Sequence, residues 1–406
     1  MKILYNIGIY LLRFGCLAAS LFNTKIRTMC SGQRQTFERL SALDKNKKTL
    51  WFHCASLGEF EQARNLIETI KERHSDCQIL LSFFSPSGYE IRKNYKYADC
   101  VVYLPFDTPE NARKFVKAAN PSMVFFIKYE FWWNYITNLA DVPLYSVSLI
   151  LRKNHYLLKP YSAYFVKLLR NFNMFFVQNK ETDEILQSLG YNNKIIAGDT
   201  RFDRVMSMSE EKKNFPLIEK FIDGKKSFIA GSSWPEDEKI IHSALAQRKD
   251  IKIILAPHLI DKNHIDNLLH QFGGSLALSS LTEDNCRDFD VLIIDNIGML
   301  MYLYSLCDIA YIGGGFKEGI HNILEAAVFG KPVAFGPNNK KFQEAQDLIA
   351  LHAARQINNS EDLKAWTDML WSKEDVYKEY SSTAKEYVIR HTGATEKILK
   401  EICLTD

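Results

Sequence analysis

Between Thr49 and Pro337 short apolar runs alternate with stretches of helical periodicity, and this alternation restricts the fold more than any other feature of the chain. The first series reads TLWFHCAS (49–56), QILLSFFS (78–85), CVVYLPF (100–106), SMVFFIKYE (122–130), VPLYSVSL (142–149), MFFVQN (174–179) and KIIAG (194–198). Helical periodicity falls between them, over 60–74, 109–119, 131–140, 160–171 and 180–189, the second of these opened by Asp107-Thr108-Pro109 as a cap. The second series reads SFIAGSS (227–233), IKIILAP (251–257), SLALSS (275–280), VLIID (291–295), YIGGG (311–315) and GKPVAFGP (330–337), with helices expected over 235–247, 261–272 and 297–306. Uninterrupted hydrophobic strands separated by helices predict parallel sheets covered on both faces. The fold class is therefore α/β, as two doubly wound, Rossmann-like halves. At 406 residues the chain exceeds one ordinary core of roughly 150 residues. Residues 203–224 are charged and carry no strand pattern, so they are the expected linker. The expected division is 31–205, a linker at 206–224, 225–385, and a C-terminal helix at 386–406 able to pack back on the first domain. The remainder from 340 reads as mostly helical and polar. Ligands bind such folds at the carboxyl edges of the strands, in a cleft expected between the two halves.

Residues 1–30 stand apart. The run 3–23, ILYNIGIYLLRFGCLAASLFN, has about the length that crosses a bilayer as a helix. Arg13 sits at its middle, where a charge costs roughly 2.5–3.5 kcal/mol on insertion scales. Two membrane readings follow, a spanning helix with a snorkelling arginine or a helix lying in the interface; a buried soluble helix is the alternative. Lys25, Arg27, Arg34 and Arg39 against Glu38 form a basic flank suited to the cytoplasmic side. A net charge of +3 without a basic stripe gives no reason to expect a nucleic-acid partner. The eight cysteines hold no C-x-x-C pair and the ten histidines no H-x-x-H pattern, so neither a metal nor a disulfide framework is expected.

Chemistry-bearing residues gather at strand ends. In YIGGGFKEGIHNILEAAVFGKPVAFGP (311–337), Gly313, Gly314 and Gly315 let backbone approach a ligand closely. A helix starting near Asn322 would aim its N–H groups at that loop, which suits a phosphate. Asn322 and Glu325 would share one helical face, with Glu325 placed to accept from ribose hydroxyls. A tight βα turn with a dipole-complementing glutamate is the plainer reading. Ser56, Leu57, Gly58 and Glu59 end the first strand; Glu59 on a glycine turn could serve as a general base, with partial burial raising its pKa, or could be an exposed helix-start acid. Glu130 ends FFIKYE as a second carboxylate, orienting a substrate hydroxyl or amide, or as a first-turn acid. Arg152, Lys153, His155, Tyr156, Lys159 and Tyr161 form a basic, aromatic loop that could grip an anionic amphiphile or remain solvated. Ser232 in GSSWP and His258 after Pro257 sit at two further strand ends.

Assembled, these residues resemble the 3-deoxy-D-manno-octulosonic acid (Kdo) transferases of lipopolysaccharide assembly, which have the GT-B fold. The resemblance rests on the N-terminal anchor and on WFHCASLGEF (51–60), SFFSPSGYE (82–90), YLPFD (103–107), YEFWWN (129–134) and GDTRFD (198–203). GSSWPEDE (231–238), GGGFKEGIHNILEAA (313–327) and GKPVAFGP (330–337) extend it through the second half. It implies an inverting glycosyltransferase on the cytoplasmic side of the bacterial inner membrane, moving Kdo from CMP-Kdo to a lipid A precursor without a metal or cofactor. It further implies Glu59 as the base toward the acceptor glucosamine's primary hydroxyl, and Glu130 as the family's second glutamate. Ser56, Gly58, Arg152 and Lys153 would face the acceptor. CMP would lie on Ser232, His258, Gly314, Gly315, Asn322 and Glu325. Three positions depart from the family pattern: Pro257-His258-Leu259 stands for Pro-Arg-His, Lys128 for the first acid of E-x-E, and Trp234 for a histidine. A UDP-sugar transferase, a sugar-nucleotide epimerase and a membrane-tethered nucleotide-binding protein without catalysis are the alternative readings.

Overall fold

The computed structural model describes residues 2–159, 162–317 and 319–402. They form two units, one running to Arg204 and resumed from Thr392, the other spanning Val205–His391. Each contains one seven-stranded, all-parallel sheet.

In the first unit the strands are β1 (Thr49–Cys54), β2 (Gln78–Phe83), β3 (Cys100–Tyr103), β4 (Pro121–Ile127), β5 (Leu144–Leu149), β6 (Met174–Val177) and β7 (Lys194–Ile196). Their spatial order is β3-β2-β1-β4-β5-β6-β7. Every residue of β1 and β2 is buried, as strands covered on both faces require. Two apolar layers result: Phe52, Phe60, Ile79 and Phe125 pack on one face, Trp51, Phe115, Phe126 and Tyr135 on the other. The second unit holds β8 (Lys226–Ser233), β9 (Ile251–Pro257), β10 (Ser275–Ala277), β11 (Val291–Ile293), β12 (Ile309–Ile312), β13 (Val333–Phe335) and β14 (Ala354–Gln356). Their order is β10-β11-β9-β8-β12-β13-β14. In both sheets the winding reverses at one place, between β1 and β4 and between β8 and β12. Those are the topological switch points, where open α/β sheets take ligands.

Several sequence expectations need correction. The segment 203–224, expected as a linker without a strand, folds into the helices Thr200–Glu210 and Pro216–Ile222, the second burying Ile218, Phe221 and Ile222. Its apolar residues were masked by the surrounding charge. The helix expected over 131–140 is only Trp133–Thr137, and that over 160–171 is Ala163–Leu168 with a 3₁₀ turn, Leu169–Asn171. The polar strand β14 was missed, since it has only three residues and little apolar character. The last stretch breaks at Gly393: a helix runs Glu374–His391 in the second unit, and Ala394–Glu401 belongs to the first. There Asp203 accepts from the backbone N–H groups of Gly393 and Thr395, and Asn65 Nδ2 donates to Thr395 Oγ1 at 3.0 Å. Among the described residues the cysteines are free thiols, mostly buried; Cys403 lies outside them.

The N-terminal run is a helix, Lys2–Ala19, fastened along one face to the first unit. Tyr5 donates to Asp107 Oδ2 at 2.7 Å, Asn134 Nδ2 donates to Asn6 Oδ1 at 2.8 Å, and Ile9 is buried. Its other face, Ile3, Leu4, Ile7, Leu11, Phe14 and Leu17, is exposed. The following helix, Thr24–Arg34, buries Met29, Cys30 and Gln33, so residues 24–30 belong to the domain body and not to a detached anchor.

Candidate active site

At the first switch point the chain leaves β1 through Ala55 and Ser56 and enters the helix Leu57–Arg73 directly. The expected turn at Leu57-Gly58-Glu59 is thus the first helical turn. Gly58 needs no special dihedral there, and a Cβ on it would meet only Ser56 Oγ, at 3.8 Å. Glu59 is the third residue of the helix, and the Ser56 hydroxyl donates to its Oε2. This contact fixes the carboxylate beside the strand end while leaving it partly exposed.

The chain leaves β4 at Lys128, a non-glycine residue with φ of 61°. Left-handed conformation at such a residue costs free energy and persists where the surroundings enforce it, often at functional sites. The Lys128 N–H donates to Val147 O at 2.8 Å, which holds the bend. Glu130 follows in a loop, past the end of the strand, and Trp132 Nε1 donates to its Oε2 at 2.7 Å. Behind it stands His53 of β1, fully buried, with Nε2 at 3.6 Å from the same oxygen. Glu59 and Glu130 both lie within electrostatic reach of Cys54 and Tyr129: the charge of each, after burial, raises the pKa of the thiol and of the phenol. The Arg152 guanidinium acts on Tyr129 in the opposite sense. Lys153 is exposed on the loop beyond, where the His155 ring lies tilted against Tyr129 with centroids 5.8 Å apart. Tyr161 lies outside the described residues.

The second switch point is built differently. Ser232, with φ of 53°, bends the end of β8. A Cβ at Gly313 would fall 2.2 Å from Ser232 O, and one at Gly315 would fall 2.5 Å from the Gly336 nitrogen. The glycines therefore let three strand-end turns close on one another. The Gly314 N–H that a phosphate would use donates instead to Asp237 Oδ2 at 2.8 Å. Asp237 is fully buried and also accepts from Trp234 N at 3.0 Å and from Tyr311 Oη at 2.8 Å. Burial pushes its pKa up, and those donors pull it back. Sequence reading missed Asp237; its signal was an acid three residues after the capping position in GSSWPED, a pattern common to many helices.

The helix expected from Asn322 is the single turn Leu324–Ala327, because the chain from Gly319 to Ile323 stays irregular. One turn carries too little dipole to support the phosphate argument. Asn322 and Glu325 nevertheless meet, Asn322 Nδ2 donating to Glu325 Oε1 at 3.0 Å. His258 stacks with both Trp234 and His321, with ring centroids 4.7 Å apart in each pair. Trp234 Nε1 donates to His321 Nε2 at 3.3 Å. Burial and then the neighbouring His258 push the pKa of His321 down to about 4, so it stays neutral and able to accept. His321 was not singled out in the sequence; its contribution depends on a ring stack that only the fold creates. The structure thus gathers Ser56, Glu59, Glu130 and Arg152 at one sheet, and Ser232, Gly314 and Gly315 at the other, with Asn322 paired to Glu325.

Residues 32–204 match the family model described as 3-deoxy-D-manno-octulosonic-acid transferase (kdotransferase). A 3-deoxy-D-manno-octulosonic acid transferase of Rickettsia felis is 29% identical over 374 residues, covering 88% of this chain and 79% of that protein. Among solved structures, UDP-GlcNAc 2-epimerase from Neisseria meningitidis superposes with a TM-score of 0.61 at 15% identity, over 87% of this chain and 98% of the other. A glycosyltransferase from Rickettsia africae gives a TM-score of 0.56 at 13% identity, over 88% and 98%. At such identities the structural likeness bears on fold alone. The sequence relatives therefore liken this chain to the 3-deoxy-D-manno-octulosonic acid (Kdo) transferases, and the two-sheet architecture agrees with a GT-B fold.

Proposed function

We propose that this enzyme transfers Kdo from CMP-Kdo to the glucosamine primary hydroxyl of a lipid A precursor, with inversion at the anomeric carbon and Glu59 as general base. The observation that carries the reading is the pair of carboxylates, Glu59 and Glu130, at the carboxyl ends of the two strands flanking a switch point. Glu59 would take the hydroxyl proton as the acceptor oxygen attacks; the bond from the anomeric carbon to the CMP phosphate breaks, and CMP leaves with the electron pair. A positioned base of this kind contributes typically 10²–10⁴-fold. Ser56 and Gly58 border the base, and Arg152 with Lys153 would meet the acceptor's anionic groups. CMP would occupy the second unit, at Ser232, His258, Gly314, Gly315, Asn322 and Glu325, with Glu325 at the ribose. As proposed, the step uses no resident metal or cofactor.

The N-terminal helix would hold the enzyme on the cytoplasmic face of the bacterial inner membrane. A helix docked through Tyr5, Asn6 and Ile9, with an apolar stripe turned outward, suits the interface better than a span. The double variant Leu11→Asp, Phe14→Asp should then leave anionic vesicles in a flotation assay; unchanged flotation would reject that placement.

The direct test incubates detergent-solubilised protein with CMP-Kdo and tetraacylated lipid A precursor and weighs the lipid by mass spectrometry. A gain of one or more Kdo units is the expected result. No gain, with UDP displacing CMP from the protein, would transfer the reading to a UDP-sugar enzyme.

A further inference from the structure

His53 lies in the middle of the first sheet, fully buried, and its Nε2 has no hydrogen-bond partner. An unpaired buried polar atom costs about 1–3 kcal/mol, so its presence needs a reason. The ring's other nitrogen supplies one. Trp51 Nε1, which can only donate, bonds Ser82 Oγ at 2.7 Å. The Ser82 hydroxyl proton is then left to donate, with His53 Nδ1 at 3.0 Å and the more distant Phe52 O at 3.4 Å. Donation to Nδ1 puts the proton of the neutral ring on Nε2, aimed at Glu130 Oε2, 3.6 Å away. The opposite tautomer would turn a bare nitrogen lone pair toward a carboxylate. A movement of a few tenths of an ångström brings Nε2 into hydrogen-bond range of Glu130.

We propose that His53 is a positioning residue for the transfer reaction: through Nε2–H, and fixed by the Trp51–Ser82 relay, it holds Glu130 Oε2 from behind while Trp132 holds it from the side. Oε1 is thereby left to engage the acceptor. The inference rests on the reading of Glu130 as part of the acceptor site, and the test separates the two. Asparagine reproduces only the Nδ1 position of a histidine, whereas glutamine can place an N–H where Nε2 stood.

Transfer kinetics of His53→Asn, His53→Gln, Glu130→Gln and the double variant His53→Asn, Glu130→Gln decide the matter. His53→Asn should lose at least tenfold in kcat with the KM for CMP-Kdo unchanged, and His53→Gln should recover most of that loss. In the Glu130→Gln background His53→Asn should add less than twofold, because the two residues act as one unit. Equal losses in Asn and Gln variants, or fully additive losses, would overturn the role of His53. Wild-type activity in Glu130→Gln would overturn the reading of Glu130 beneath it. On the unaltered protein, ¹⁵N-histidine spectra should show His53 protonated at Nε2; a ring protonated at Nδ1 alone would refute the relay whatever the variants do.

Discussion

In each sheet the first strand borders the switch point, and the helix that follows it carries an acid as its third residue. In the first unit it is Glu59, following Ser56; in the second it is Asp237, following Trp234. Their fates differ. Glu59 stays partly exposed and takes the Ser56 hydroxyl, whereas Asp237 is fully buried and is saturated by Tyr311, Gly314 and Trp234. Its neighbour Glu238 is buried as well, holding Ser233 at 2.9 Å and His264 at 3.1 Å. Glu59 keeps an exposed edge, whereas Asp237 and Glu238 brace the loops around them. Topology decides where an acid stands, and its neighbours decide whether it reacts or braces.

Exchanging the two roles by mutation is the sharpest way to break this comparison. Glu59→Gln should lower transfer by roughly 10²–10⁴-fold, since it removes the proposed base while keeping an isosteric side chain. Asp237→Ala should act through binding: three buried donors lose their acceptor, at about 1–3 kcal/mol for each that stays unpaired. CMP affinity should fall about tenfold or more, with a lower Tm. Steady-state kinetics and calorimetric CMP titration check both.

The smallest effect on catalysis concerns Asp107, which tethers the N-terminal helix. Burial raises its pKa to about 7, against the pull of the Tyr5, Asn134 and Tyr135 donors. The folded protein then holds a proton that the unfolded chain has released above about pH 4. Stability should therefore fall as pH rises from about 4 to about 7, by up to roughly 1.4 kcal/mol per unit, and level off above. Asp107→Asn should flatten that slope in thermal melts taken across the window, even if its overall Tm is lower.

Much of this was legible in the sequence because two-faced burial leaves an unmistakable mark. The strand runs around Phe52, Phe125, Ile229 and Ile254 are apolar throughout, and the cap at Thr108-Pro109 fixed the helix Pro109–Ala119 to the residue. Short or polar elements escaped: β14 and the one-turn helix at Leu324 depend on tertiary contacts that local pattern does not encode. Within the candidate site, residues beside glycines at strand ends could be found by position, as Ser56, Glu59 and Ser232 were. Asp237, His53 and His321 could not, because their importance comes from partners such as Gly314, Glu130 and Trp234, which lie 77, 77 and 87 residues away in sequence.

The most direct test of the division of labour measures Glu59→Gln and Asp237→Ala side by side, for single-turnover Kdo transfer at saturating CMP-Kdo and for CMP affinity. The account requires a crossed result: Glu59→Gln binds CMP as the wild type does but fails to transfer, while Asp237→Ala binds CMP weakly and transfers once saturated. A Glu59→Gln enzyme that turns over normally, or that has lost CMP binding, would contradict it.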